Sequence, residues 1–400
     1  MSDFLMNTYH RLPVTFVRGE GSWLFDAAGK KYLDFSSGIA VNCLGHAYPP
    51  LVRAITEQAA KCSHVCNYYQ SDVALAFAEK LVAACAPGGM KNVFLANSGA
   101  EANEGACKIA RKYSLKKYGP GRHTIVTLRG SFHGRTITTL AATGQDKFHT
   151  TFGPFTEGFA HIPGGDIAAL DKALDQKTVA GLLIEAVQGE SGIVPQSVEF
   201  IEAAARLCAE RDILLMCDEI QCGMGRTGTF LAFEQYRTAD GACVDGKPLK
   251  ADVVTLAKAL AGGIPAGAVL AGEKTRAVFE PGDHGSTFGG NLIAAAAGLV
   301  VLETVNQSAF LAQIRGKGEM MMSEIRAWNH PRVKEVRGRG LMIGVDIDLD
   351  ARPVLEAAVS KGLLILSGGT QILRFLPPYT ISDSEIEQGL EIVREILNGN

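Results

Sequence analysis

The 400-residue chain carries 39 basic and 42 acidic side chains, a formal charge of −3, with 47% of its residues apolar and 20% charged. This composition excludes a disordered chain or a collagen-like fibre, and the near-neutral balance gives no electrostatic reason to expect nucleic acid or an anionic membrane as partner. The 45 glycines exceed the usual ~7% of residues, which predicts many tight turns or close approaches of backbone to a ligand.

The opening MSDFLMNTYHRLPV lacks a basic segment followed by an apolar one, so no secretion signal is expected. Nine cysteines without a paired CxxC unit point to a reduced, cytoplasmic protein. Cys62 and Cys66 bracket His64, but no fourth ligand stands nearby and no metal is expected. Trp23–Phe35 reads as a hairpin turning at Ala28-Gly29. Lys91–Ala96 reads as a strand that leads into a helix from Ala100 to about Lys117. His123–Leu128, Val179–Glu185, Ile213–Cys217 and Ala251–Leu256 are further apolar runs, separated by helical segments such as Val198–Arg211. Apolar strands interleaved with helices mean a largely parallel sheet covered on both faces.

Val253–Gly272 is the most apolar stretch, yet it holds Lys258, Pro265 and several glycines, which suits a buried strand and turns better than a membrane span. Beyond Val300 come a long helical stretch, a strand over Gly340–Ile347, a helix near Pro353–Lys361 and strands around Leu363–Leu366 and Ile372–Phe375. The expected architecture is α/β with two domains: a large one over 51–303, and a smaller α+β domain built from 1–50 and 304–400.

Ligands of parallel sheets collect beyond the carboxyl ends of the strands. After Ala96 comes Asn97-Ser98-Gly99-Ala100, which either caps a helix in the ordinary way or seats an anion on its free N–H groups. After Leu128 comes a loop in which Phe132, His133 and Arg135 could stack on a planar ring and hold a carboxylate. Glu185, Asp218 and Glu219 stand at strand ends, where buried carboxylates cap loops or meet a cation. Gly223–Gly228 matches G-x-G-x-x-G, but it follows no strand directly and opens no clear helix. A nicotinamide-dependent oxidoreductase is therefore only an outside reading. Lys258 is the sole charged side chain between Val253 and Gly272; it is either a desolvated amine able to form a Schiff base or a lysine reaching out to water.

An anion cradle, a stacking aromatic, a strand-end aspartate and an isolated lysine are together the set that pyridoxal 5′-phosphate needs. In order and spacing, NSGAEANE at Asn97–Glu104, SFHGRT at Ser131–Thr136, EAVQGESG at Glu185–Gly192, DEIQCGMGRTG at Asp218–Gly228, TLAKAL at Thr255–Leu260 and HGSTFGGN at His284–Asn291 resemble the class III aminotransferases of the fold-type I pyridoxal enzymes. NTYHRLPVTFVRGEG at Asn7–Gly21 and GIAVNCLGH at Gly38–His46 are most similar to the acetylornithine branch of that class. The ornithine branch usually has a tyrosine where Gly38 stands, and glycine leaves room for an acylated α-amine. Two departures, Ala186-Val187 for the family's proline-containing turn and Tyr48 for a histidine, read as tolerated.

The resemblance implies a pyridoxal-phosphate transferase acting on N2-acetyl-L-ornithine and 2-oxoglutarate in arginine biosynthesis, as a homodimer that shares its sites between subunits. Succinylornithine, N-succinyl-diaminopimelate, ornithine or 4-aminobutyrate are alternative donors. It further implies Lys258 as imine-forming lysine and proton shuttle, and Asp218 as partner of the ring nitrogen. Gln221 would lie at the 3′-oxygen, Phe132 on the ring face, with His133 and Glu219 beside the cofactor. Ser98, Gly99 and Ala100 would hold the phosphate, and Thr287 the phosphate of the neighbouring subunit. Arg135 and Ser286 would hold substrate, and Arg374 would take a second carboxylate, with Glu185 as its switch partner.

Overall fold

The computed structural model describes residues 4–236 and 249–399. Its centre is a seven-stranded sheet in the order Met90–Ala96, Gly267–Gly272, Val253–Leu256, Leu214–Asp218, Val179–Ile184, Thr124–Leu128 and Phe159–Ile162. Every neighbouring pair is parallel except the two made by Gly267–Gly272. The four strands VAGLLI, LLMCD, VVTL and GAVLAG are buried at every residue. That is why they read as near-continuous apolar runs, with Asp218 and Thr255 as the exceptions: helices cover both faces, so few positions call for polar side chains. The protein is thus an α/β fold with a large, mostly parallel sheet.

The apolar stretch 253–272 folds as a strand, a tight 3-10 turn at Lys258–Ala261, and a returning antiparallel strand. Among the described residues no single helix is long and apolar enough to cross a membrane. The expected helix after Ala96 spans Gly99–Tyr118, and Val198–Glu210 forms the second one named above.

The two ends of the chain meet in one sheet. The hairpin of Trp23–Asp26 and Lys31–Asp34 is joined on one side by Phe16–Glu20 and on the other by the late strand Leu363–Leu364, which pairs in parallel with Lys31–Asp34. A second small sheet contains Val333–Arg339, Met342–Ile347, Ile372–Phe375 and Leu366–Gly368. Phe16–Glu20 and Val333–Arg339 were not foreseen. Their sequences, FVRGE and VKEVRGR, are rich in charge and mostly exposed or half-buried, so they lack the apolar run that betrays a central strand.

Candidate active site

The carboxyl ends of the parallel strands open onto a cavity of about 460 Å³. Ser98 is the N-cap of the Gly99–Tyr118 helix, its backbone extended and its Oγ accepting the Glu101 N–H at 3.2 Å. The ordinary capping role is therefore real, and it does not compete with the other. A 20-residue helix leaves its first N–H groups without intrahelical partners and adds its dipole, so Gly99 and Ala100, both on the cavity wall, offer a seat for an anion.

This corner is held by close approach. A Cβ at Gly99 would meet Ile220 at 2.8 Å, and one at Gly267 would drive into the Ser98 carbonyl oxygen. Gly267→Ala must therefore push the Ser98 turn aside. The expected result is a stability loss of about 1–3 kcal/mol in a urea titration, together with weaker phosphate-group binding.

Asp218 ends the strand Leu214–Asp218 and is buried. Its Oδ2 accepts from Asn103 Nδ2 and from His133 Nδ1, both at 2.7 Å, and its Oδ1 accepts the Ile220 N–H at 3.1 Å. The sequence reading assigned no role to Asn103. Its signal was a large polar side chain among the small and apolar residues buried on that helix, Ala102, Gly105, Ala106, Cys107, Ile109, Ala110 and Ser114. His133 lines the cavity and backs Asp218; its Nε2 is buried without a partner among the described residues.

Lys258 begins the 3-10 turn with φ +47°, a left-handed conformation costly for a residue with a side chain and characteristic of functional sites. Burial pushes its amine down to about 8 and the Arg374 charge reinforces this, while Asp218 and Glu185 oppose it. The shift places neutral amine within reach of neutral pH. Lys258 faces the cavity with Asp218, Glu185 and Phe132, so the nucleophilic alternative, not the lysine reaching out to water, matches its setting.

The Phe132 ring lies edge-on to Phe148 at 6.1 Å between centroids, and its N–H donates to Glu185 Oε1 at 2.9 Å. Glu185 Oε2 accepts the Gly189 N–H, also at 2.9 Å. Burial lifts this carboxyl to about 7. Arg135 is exposed at the cavity rim, its guanidinium 4.3 Å from the Phe148 ring centre, a fork of donors suited to a carboxylate.

Three sequence expectations change. Glu185 does not meet Arg374: both its oxygens are committed to backbone amides, and Arg374 Nη2 instead donates to Gln221 Oε1 at 3.0 Å. Gln221 lines the cavity as expected; its Oε1 accepts from that arginine, and the side-chain nitrogen remains the donor that a cofactor oxygen would need. Burial lowers Arg374 to about 10, and Glu190 and then Glu185 work against that. Glu190, on the cavity wall and unassigned in the sequence reading, is thus the stronger electrostatic partner.

Glu219 turns away from the cavity. Its carboxylate accepts the N–H groups of Ala232 and Phe233 at 2.6 and 3.0 Å and so caps the short helix Ala232–Gln235. Strand alternation explains this, since residues 218 and 219 point to opposite faces. Ser286 lies outside the Lys258 cavity and lines a second hollow of about 740 Å³ together with Thr287, the residue assigned to the neighbouring subunit's phosphate. Ser286 reaches the site only through its Oγ, which accepts from Asn97 Nδ2 at 3.0 Å. Finally, Gly223–Gly228 opens no helix: Arg226 is wholly buried, donating to the carbonyls of Leu341 and Pro377. No phosphate could reach those amides.

A helix N-terminus for a phosphate, a buried carboxylate for a cationic ring nitrogen, an aromatic wall, and an amine of lowered pKa for a carbonyl fit pyridoxal phosphate group by group.

The class-III aminotransferase family profile matches residues 4–397. The chain is 44% identical over 398 residues to the acetylornithine aminotransferase of Caldanaerobacter subterraneus subsp. tengcongensis, covering 99% of this chain and 97% of that protein. It is similar to the crystal structure of N-acetylornithine aminotransferase from Stenotrophomonas maltophilia with a TM-score of 0.83 at 36% identity, over 98% of this chain and 97% of that one. It is also similar, with a TM-score of 0.90 at 30% identity over 99% and 92% of the two chains, to an ornithine aminotransferase of Toxoplasma gondii whose active site holds pyridoxal phosphate at partial occupancy.

Proposed function

This chain belongs to the class-III aminotransferases, pyridoxal-phosphate-dependent transferases, and we propose that it moves the terminal amino group of N2-acetyl-L-ornithine to 2-oxoglutarate, reversibly, in arginine biosynthesis. The products are N-acetyl-L-glutamate 5-semialdehyde and L-glutamate. The observation that carries this is the convergence of Lys258, Asp218 and the Gly99–Ala100 amides on one cavity, within a chain whose curated relatives act, by name, on acetylornithine. Pyridoxal phosphate, when bound, supplies a carbonyl that takes up an amine covalently and a ring that draws off the electron pair freed at the adjacent carbon.

The chain's own residues do the rest. The amides at Gly99 and Ala100 hold the phosphate, with Ser98 fixing the turn. Phe132 covers the ring face, and Asp218 keeps the proton on the ring nitrogen. Lys258 Nζ takes the proton from the substrate's δ-carbon and returns it on the other side of the transfer. Arg135 takes a substrate carboxylate as a fork, and Arg374 takes the second carboxylate of 2-oxoglutarate. Because Gln221 holds Arg374, Glu185 acts on that charge through space and through the Phe132 loop that it anchors, in place of a direct pair.

We read the active form as a homodimer. Tyr68, Tyr69 and Phe288 are large and exposed around the hollow that contains Ser286 and Thr287, the mark of a surface that a second copy covers. Thr287 then serves the neighbour's phosphate. In this reading 51–303 is the cofactor-binding domain, 1–50 with 304–400 forms its cover, and the enzyme works in the cytoplasm.

A steady-state panel tests the substrate. Acetylornithine should exceed ornithine in kcat/KM by about tenfold or more, a gap of roughly 1.4 kcal/mol. Ornithine, 4-aminobutyrate or a succinylated donor ranking first would overturn the assignment and leave the class of chemistry standing.

A further inference from the structure

We infer that Asn103 and Thr255 form a positioning relay that decides which oxygen of Asp218 faces the cofactor, an inference that rests on Asp218 being the partner of the ring nitrogen. Asn103 is fully buried in the first turns of the Gly99–Tyr118 helix. Its Nδ2 donates to Asp218 Oδ2 at 2.7 Å and to the His133 carbonyl at 2.8 Å, and its Oδ1 accepts the Thr255 hydroxyl at 2.8 Å. The amide can be oriented in only one way. An ionised carboxylate and a backbone carbonyl are both acceptors, so the nitrogen must face them and the oxygen must face the hydroxyl.

Thr255 is placed by the sheet itself, as the register partner of Asp218 on the neighbouring parallel strand. The relay therefore runs from one strand through the helix to the next strand's end, and from there to the loop that carries Phe132. With Asn103 and His133 both on Oδ2, that oxygen is turned into the protein. Among the described residues Oδ1 holds only the Ile220 N–H and keeps a lone pair for the ring. A carboxylate held on one oxygen by two donors cannot rotate, so the ring nitrogen meets a fixed acceptor. Asn103 does not line the cavity; it is a positioning residue and acts through Asp218.

The test compares wild type with Asn103→Leu, Thr255→Val, Thr255→Ser and Asp218→Ala, all loaded with pyridoxal phosphate. Asn103→Leu should raise the cofactor Kd, measured by titrating the apoprotein, about tenfold and weaken the visible circular-dichroism band that reports ring orientation. It should lower kcat about 10- to 100-fold while KM for the amino donor stays within about twofold. Thr255→Val should shift the same readouts by a few-fold, and Thr255→Ser, which keeps the hydroxyl, should restore them. The relay is overturned if Asn103→Leu, or Thr255→Val should the leucine variant not fold, matches wild type in Kd, dichroism and kcat while Asp218→Ala is impaired. If Asp218→Ala itself matches wild type, the assignment of Asp218 falls and the relay falls with it.

Discussion

Replacing Lys258 with alanine is expected to lower kcat by about 10⁴-fold or more and to remove the borohydride-trapped attachment to the cofactor. Two properties of the site lead there. The amine sits in the left-handed turn that starts at residue 258, on the wall of the cavity that contains Asp218, and it is the group that we propose carries the proton. Burial has also pushed it down to about 8 from an ordinary 10.5, and this has a sign that can be measured. Only the neutral amine attacks a carbonyl, so capture of pyridoxal phosphate by the apoprotein should accelerate with pH and level off above about 8. A surface lysine would still be accelerating at 10. Trapping followed by peptide mapping checks the attachment, and stopped-flow mixing of apoprotein with cofactor checks the pH profile. Label on another peptide, or an alanine variant with normal turnover, would remove Lys258 from the mechanism.

Asp218→Ala is expected to cost about 10³-fold in kcat and to loosen the cofactor in the same step. The carboxylate is buried and accepts three donors, from Asn103, His133 and Ile220, so its charge is fixed in place before any ligand arrives. Preorganised charge aimed at a developing charge is the kind of contribution whose removal costs two to three orders of magnitude. Alanine also strands the three donors in a dry interior at about 1–3 kcal/mol each, so the apoprotein should melt at a lower temperature. Asp218→Asn separates the two effects. It keeps the volume and loses the charge, and its amide confronts donors with a donor. Rates from single-turnover mixing and melting curves of the apoprotein discriminate between them: an Asn variant that melts like wild type but turns over like Ala isolates the charge.

Glu185, its carboxyl lifted to about 7 by burial against the pull of its two amide contacts, does not make the pairing expected for it. Its two amide contacts anchor the Phe132 turn and the Gly189 turn at once. A residue that the family resemblance cast as a partner for Arg374 is, in space, a brace between two loops, one of the two roles its strand-end position left open. The arginine is tied down by Gln221, a residue that the motif pattern assigned to the cofactor. Strand-end position could name the groups around the cavity. It could not say which of them had already spent their hydrogen bonds on one another.

The same boundary runs through the whole molecule. The sequence alone determined what local physics controls: the largely apolar central strands, the helix opened by Ser98 and Gly99, the isolation of Lys258, and through its motifs the class of cofactor. A central strand advertises itself because both its faces are buried, and a helix start because few residues can cap one. Tertiary structure decided the rest: the outward turn of Glu219, the Gln221–Arg374 contact, the placing of Ser286 and Thr287 in a second hollow, and the relay through Asn103. Each depends on groups from distant parts of the chain, 153 positions apart for Gln221 and Arg374 and 115 for Asn103 and Asp218. No local pattern encodes such a choice, because a hydrogen-bonding side chain takes its partner from whatever the fold brings within 3 Å of it.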